Sequence, residues 1–177
     1  MRKFIVEEVL DIPKDINVYV EKDKIVFKKG NNTIEIKKEW PTIIVEKKEN
    51  KLIFRIYFAT RRDIRVFYTL VGKSKNAIEG LSKGFVYRLR AVYTHFPFKI
   101  SVKGNKFVVE NFLGEKAPRV LEIPQDVKVK VEGNDIIVEG YNIERAGNVA
   151  GLLEQLTKIR EKDLRKFQDG IYIIEKP

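Results

Sequence analysis

Residues 129–138, VKVEGNDIIV, show most clearly the pattern on which the predicted fold is based. Apolar and polar residues alternate on both sides of a Gly-Asn pair, which is typical of two antiparallel strands joined by a two-residue turn. The pattern returns at residues 18–27 and 100–109, and in a looser form with a longer polar loop at residues 43–55. The sequence therefore predicts four β-hairpins.

Each pair of hairpins is followed by a stretch with the apolar spacing of an amphipathic helix, from about Arg61 to Ser82 and from about Asn142 to Lys158. The order hairpin, hairpin, helix thus occurs twice, with a period of roughly 82 to 84 residues. We predict an α+β fold of two tandem similar domains, residues 1–82 and 83–177. Each domain is expected to be a small antiparallel sheet of hairpins covered by one helix.

Positive charge dominates the chain and is concentrated locally. The 177 residues carry a net charge of +10, which favours a polyanionic partner, most often nucleic acid. Residues 80–109 contain six Lys or Arg and no Asp or Glu, and residues 158–166 contain five basic residues against two acidic ones. A run of charge is equally typical of a solvated surface, and a basic protein with an unrelated role remains the alternative.

Several classes of function find no support in the residues. The chain has no cysteine and a single histidine, His95, so thiolate metal sites are excluded and a His-based zinc site or catalytic triad is not expected. It has neither a Gly-rich phosphate loop nor a distinctive carboxylate pair. We therefore expect no enzyme activity, no cofactor, no metal and no small-molecule substrate. Without an apolar run of membrane-spanning length or a signal-peptide core, we expect a cytoplasmic protein with no membrane partner.

The central stretch from Phe85 to Tyr93 alternates as a strand does. The alternation predicts that Phe85, Tyr87, Leu89, Ala91 and Tyr93 face the core, while Val86, Arg88, Arg90 and Val92 face outward. His95 follows in a loop, either as an ordinary exposed histidine or as a hydrogen-bonding or stacking contact to RNA. In a second loop, at residues 111–119, we expect Phe112 and Leu113 to enter the core.

The C-terminal residues 167–174, FQDGIYII, predict a turn followed by a short strand with no hairpin partner nearby. This strand is expected either to close the edge of a sheet or to hold the turn against a partner. Gly170 has no side chain, so the backbone N–H groups of the turn can approach a phosphate closely.

Three motifs, YRLRAVYTHFP at residues 87–97, VENFLGEK at 109–116 and FQDGIY at 167–172, resemble the large-subunit ribosomal protein six family in its archaeal/eukaryotic-like form. The resemblance extends over almost the whole chain and is looser before Ala77. It implies two copies of one α+β domain. It also implies binding to large-subunit ribosomal RNA near the base of the acidic stalk, beside neighbouring ribosomal proteins. Bacterial members carry Gly-Lys-Gly where this chain has Gln168, Asp169 and Gly170.

The candidate RNA-binding residues follow from the charge pattern on the strand and from the resemblance at the loop and tail. They are Arg88 and Arg90 on the strand, Tyr93, His95 and Lys99 in and beyond the loop, and Lys158, Arg160, Lys162, Arg165, Lys166, Gln168, Asp169 and Gly170 in the tail. The expected function is a structural protein of the large ribosomal subunit in the cytoplasm. The alternatives are a free-standing RNA-binding module and a protein–protein adaptor with a basic surface.

Overall fold

The computed structural model describes residues 3–160, 162–163 and 165–177. The chain divides into two compact units, Met1–Lys83 and Gly84–Pro177, called here the first and the second unit. Each unit has its own hydrophobic core. The α+β class with two similar units is confirmed.

Within its described residues, the first unit holds two three-stranded antiparallel sheets, ordered β1-β6-β5 and β2-β3-β4, and one helix. Its elements are β1 (Lys3–Asp11), β2 (Asn17–Val20), β3 (Lys24–Lys29), β4 (Asn32–Lys37), β5 (Ile44–Lys48), β6 (Lys51–Ala59) and α1 (Arg61–Lys83).

The second unit repeats this order and adds one strand at the C-terminal end of the chain. Its elements are β7 (Phe85–Val92), β8 (Lys99–Lys103), β9 (Lys106–Glu110), a single 3-10 turn (Phe112–Gly114), β10 (Arg119–Glu122), β11 (Val127–Glu132), β12 (Asp135–Gly140), α2 (Ile143–Leu156) and β13 (Gly170–Glu175). The strands form one sheet ordered β11-β12-β7-β13 and one ordered β10-β9-β8.

The hairpins lie where the Gly-Asn pairs predict them. Glu132 pairs with Asp135, and Lys103 pairs with Lys106, so each turn contains two residues. Gly133, the first residue of its turn, has φ 63°, which suits a type II′ turn and is accessible to glycine without steric cost. The sequence prediction did not include β1, β4 and β10, which complete each pair of hairpins into two sheets.

Both helices cover the inner faces of their sheets. The buried side of α1 includes Phe67, Val71 and Leu81, and that of α2 includes Val149 and Leu153. The helix prediction is confirmed to within two residues at each end. Asn142 caps α2, because its side-chain oxygen accepts hydrogen bonds from the backbone N–H groups of Glu144 (2.9 Å) and Arg145 (3.4 Å).

Glycine at position 147 lets α2 approach the sheet closely. A Cβ atom placed there would lie 2.8 Å from the hydroxyl oxygen and 3.2 Å from the adjacent ring carbon of Tyr87 on β7. Real Cβ atoms essentially never make contacts as short as 2.8 Å, so a larger residue would force the Tyr87 ring or the helix to shift. Gly151, one turn further along α2, has open space around it instead.

Candidate nucleic-acid interface

The residues that the sequence proposed for RNA binding lie in two places in the second unit. Arg88 and Arg90 lie on β7, whose residues alternate strictly between buried and exposed as predicted. In the loop and the tail, contacts around Phe167 and Asp169 bring His95 and Lys162 together. All of the proposed residues are exposed except Asp169 and Gly170, which are buried.

Arg88 and Arg90 are both engaged by carboxylates on neighbouring strands. Arg90 donates two hydrogen bonds to Asp135 on β12, from Nε at 2.7 Å and from a terminal nitrogen at 3.2 Å. The hydrogen bond raises the pKa of Arg90 and lowers the pKa of Asp135. Nε of Arg88 lies 3.4 Å from a carboxylate oxygen of Glu175. Their charges are therefore partly balanced within the protein, which weakens their attraction for a phosphate.

Asp169 holds the loop of residues 93–97 against the tail. One carboxylate oxygen accepts hydrogen bonds from the backbone N–H of Thr94 at 2.7 Å and from its hydroxyl at 3.0 Å. The other accepts from the backbone N–H of Phe96 at 3.3 Å. The residue is only 1% exposed, so its side chain is committed inside the protein.

The pKa of Asp169 reflects two opposing effects. Burial alone would raise the pKa of this carboxyl, but the hydrogen bonds from Thr94 and Phe96 outweigh burial and hold it below its usual range. The carboxylate therefore stays ionised at neutral pH and serves as a fixed acceptor for loop N–H groups.

His95 makes a second contact between the loop and the tail, next to the Asp169 carboxylate. The imidazole lies on the ring of Phe167, with centroids 4.9 Å apart and planes tilted by 35°. Its Nδ1 lies 3.8 Å from a carboxylate oxygen of Asp169. On the tail itself, Nζ of Lys162 lies 4.8 Å from the centroid of the Phe167 ring. His95 nevertheless keeps 44% of its side chain exposed and is open to a partner.

We call this assembly the loop–tail cluster, and its members are Thr94, His95 and Phe96 of the loop with Lys162, Phe167 and Asp169 of the tail. Thr94, Phe96 and Phe167 were absent from the candidate residues. Phe96 and Phe167 lie within motifs that carry the family resemblance. Nothing in the sequence around them indicates that the loop and the tail are in contact. The 73 to 75 residues that separate Asp169 from Phe96 and Thr94 explain why sequence periodicity did not reveal the pairing.

The base of the loop is fixed by the second loop. Phe112 is buried as predicted and packs edge-to-face on Phe98, with centroids 5.3 Å apart. The side-chain amide of Asn111 donates a hydrogen bond to the carbonyl of Pro97 at 3.1 Å. Phe98 in turn packs on Tyr93 at 5.8 Å. The prediction that Tyr93 faces the core is wrong in part: β7 ends at Val92, and much of the Tyr93 ring remains at the surface.

The tail is held at its far end by α2 and β13. The backbone N–H of Ile171 donates to the hydroxyl of Thr157 at 2.8 Å, and the Tyr172 hydroxyl donates to the carbonyl of Gln168 at 3.0 Å. Among the described residues, no carboxylate lies within ion-pair distance of Lys99, Lys158, Arg160 or Lys166, whereas Arg165 pairs with Asp163 at 3.0 Å. Glu161 and Leu164 of this basic segment lie outside the described residues.

Comparison with known proteins identifies the family. The chain is 41% identical to the large ribosomal subunit protein uL6 of Nanoarchaeum equitans over 99% of its own length and 96% of that protein. It is 40% identical to the protein of the same name from Archaeoglobus fulgidus, covering 97% of this chain and 90% of the relative. The protein of that name from Methanococcus vannielii is 37% identical, with 97% and 94% covered. The chain belongs to the uL6 family.

A family model described as Ribosomal protein L6 matches residues 96–170. This range begins at Phe96, the last loop residue of the loop–tail cluster, and ends at Gly170, so it includes Asp169 and Phe167 but not Thr94 or His95. The uL6 family is structural rather than enzymatic, in agreement with the prediction. In the part of the chain that the structure describes, no helix is long and apolar enough to cross a membrane.

Proposed function

We propose that this protein is a structural, non-catalytic component of the large ribosomal subunit and works in the cytoplasm within the ribosome. The observation that carries this proposal is near full-length similarity to three proteins named as large ribosomal subunit protein uL6. The net charge of +10 supports it, because a polyanionic partner such as ribosomal RNA balances that charge.

The finer proposal is binding to large-subunit ribosomal RNA near the base of the acidic stalk, beside neighbouring ribosomal proteins. The basic tail residues are the best candidates for phosphate contacts where no carboxylate among the described residues balances their charge. They are Lys158, Arg160, Lys162 and Lys166, with Lys99 beyond the loop. His95, half-exposed and oriented by Phe167, suits stacking or hydrogen bonding to an unpaired base.

The sequence indicated Asp169 as an RNA-binding residue, but in this proposal its role is structural. A buried carboxylate repels phosphate and has no exposed atom to offer a partner, so it positions the loop rather than touching RNA. The predicted turn at residues 168–170 is wrong, because the turn lies earlier, at residues 165–166. Gly170, also buried, is the first residue of β13 and pairs with Val92 of β7. Arg88 and Arg90 are secondary candidates because Glu175 and Asp135 already pair with them.

Two measurements test the proposal. Sucrose-gradient sedimentation of a cell extract should place the protein with large subunits, whereas a free-standing RNA-binding module would remain in the light fractions. Ultraviolet crosslinking within the subunits should then give RNA adducts on the tail and the loop. Adducts confined to residues 1–75 would contradict the assignment of the interface while leaving the ribosomal role intact.

A further inference from the structure

The first strand of the chain forms an open sheet edge. β1 lies at one end of the order β1-β6-β5, and among the described residues its only strand partner is β6. It is nine residues long, contains no proline and keeps a single register with β6, in which only the Phe4–Phe58 pair is missing. Proteins usually protect such edges with short strands, prolines, bulges or a covering segment, because an unprotected edge pairs with other chains.

The hydrogen-bonding register of the β5–β6 hairpin shows which backbone groups of β1 point away from β6. Lys48 and Lys51 pair across a two-residue turn, and hydrogen-bonded and non-hydrogen-bonded pairs then alternate along the ladder. The backbone N–H and C=O groups of the even-numbered residues of β6 consequently point toward β1. The hydrogen bond from the N–H of Ile12 to the carbonyl of Asn50, at 2.6 Å, agrees with this direction. The N–H and C=O groups of Ile5, Glu7 and Val9 therefore point away from β6.

The internal repeat reveals what fits against this edge. β7 holds the position in the second unit that β1 holds in the first, since each is paired antiparallel with the last strand before the helix. The other edge of β7 is filled by β13, an antiparallel strand supplied by the C-terminal end of the chain. The outer edge of β13 is itself covered, because the N–H of Ile171 donates to Thr157 and that of Ile173 to Glu154. Among the described residues, no strand pairs with the outer edge of β1 in the way that β13 pairs with β7.

The side chains along β1 indicate the chemistry of the missing strand. Ile5 and Val9 are about half-exposed on the outer face, and Tyr57, also exposed, lies opposite Ile5 on β6. Phe4 is 68% exposed and packs edge-to-face on Phe58. This apolar row continues across the edge if the incoming strand places apolar residues on the same face.

The acidic residues of β1 argue against RNA and against a second copy of the chain as the partner at this edge. Glu7, Glu8 and Asp11 outnumber Lys3 along the strand. Glu7 is paired with Arg55 of β6, so among the described residues the negative charge that repels RNA phosphates comes mainly from Glu8 and Asp11. A second copy pairing symmetrically about the middle of the strand would place Glu7 opposite its own equivalent and would gain no charge complementarity. An extended segment with alternating apolar and basic residues meets neither obstacle.

We propose that the free edge of β1 binds an extended, basic segment of another protein, which adds to the sheet as an antiparallel strand in the place that β13 fills in the second unit. This surface is distinct from the loop–tail cluster, and its chemistry does not depend on RNA binding. A neighbouring ribosomal protein would supply the segment if the proposed function is correct.

The test is photo-crosslinking in living cells with a photoreactive amino acid at position 5, followed by sequencing of the crosslinked segment. A matched protein carries the same group at Tyr68, which is exposed on the surface of α1. We expect a defined adduct from position 5 alone, to a segment of another protein with alternating apolar and basic residues. Adducts to RNA, adducts to a second copy, or no adduct above that from position 68 would overturn the proposal.

Two variants separate strand pairing from simple proximity. Val9→Pro removes an outward N–H without touching the pairing with β6, whereas Val9→Ala keeps that N–H. We expect Val9→Pro to lower the yield of the adduct by about tenfold, as loss of one or two hydrogen bonds predicts, and Val9→Ala to retain it. Equal yields from the two variants would contradict pairing through the backbone. Sedimentation of the same proteins with large subunits reports separately on the proposed function.

Discussion

The buried carboxylate of Asp169 accepts a hydrogen bond of 2.7 Å from the backbone N–H of Thr94, 75 residues earlier in the chain. This bond joins the loop after β7 to the segment immediately before β13. The shape of the candidate interface depends on it, because the loop has to be held in place for His95 to lie on Phe167.

The first prediction concerns this hydrogen bond. Asp169→Asn removes the negative charge and turns one acceptor into a donor that faces an N–H group of the loop. We expect a loss of about 2 kcal/mol in the free energy of unfolding, as is typical of hydrogen bonds to charged groups. Urea denaturation measures it. Asp163→Asn, at an exposed residue of the same tail, is the control and should change stability little.

A dependence on pH follows from the lowered pKa of Asp169. A carboxyl whose folded-state pKa lies below its unfolded value stabilises the fold above the unfolded pKa, which is about 3.9, and loses that contribution as the pH falls through the folded value. The stability difference between the parent protein and Asp169→Asn should be constant from about pH 5 to 7 and shrink at lower pH. A difference that grows on acidification would contradict the ionised state of the buried carboxylate.

The approach of α2 to β7 is tested by two glycine substitutions in one helix. Gly147→Ala places a Cβ atom 2.8 Å from the hydroxyl of Tyr87, and we expect a loss of roughly 1–3 kcal/mol in unfolding free energy from overpacking. Gly151→Ala has open space and should instead stabilise the protein by about 0.4–1 kcal/mol, since alanine restricts the unfolded chain. Thermal unfolding distinguishes the two.

The origin of the Gly147 effect is checked with a second substitution. Tyr87→Phe removes the hydroxyl that makes the shortest approach, so the double variant should recover part of the stability that Gly147→Ala removes. Strictly additive effects would show that the two positions do not interact.

The electrostatic part of the proposed interface is tested through the salt dependence of binding to a large-subunit RNA fragment. Replacing Lys158 or Lys166 with alanine should lower the slope of log affinity against log salt by about 1 for each lysine–phosphate pair that the substitution removes. Lys103→Ala is the matched control, because that lysine already pairs with Glu110 at 3.1 Å on its own hairpin. Equal effects of all three substitutions would assign the binding to net charge alone.

Local sequence predicted the repeating parts of the fold well. The Gly-Asn turns, both helices and the alternation of β7 depend on interactions between residues near each other in the chain, and these produce periods of 2 and 3.6 residues. The residues of β1, by contrast, show no clean alternation, and the strand pairs with β6, about 50 residues further along the chain. No local turn pattern connects these two strands, so β1 was not predicted.

The twofold repeat, the basic character of the chain and, through its motifs, the family can all be read from the amino-acid sequence. Which candidate residues share a surface depends instead on tertiary packing. It buried Asp169 beneath the loop and paired Arg90 with Asp135, 45 residues away. It also laid β13 along one repeat, whereas the equivalent edge of β1 pairs with no strand in the part of the chain that the structure describes. The physical reason is that these interactions join residues distant in the chain, whose partners are set by packing and pairing rather than by any local period.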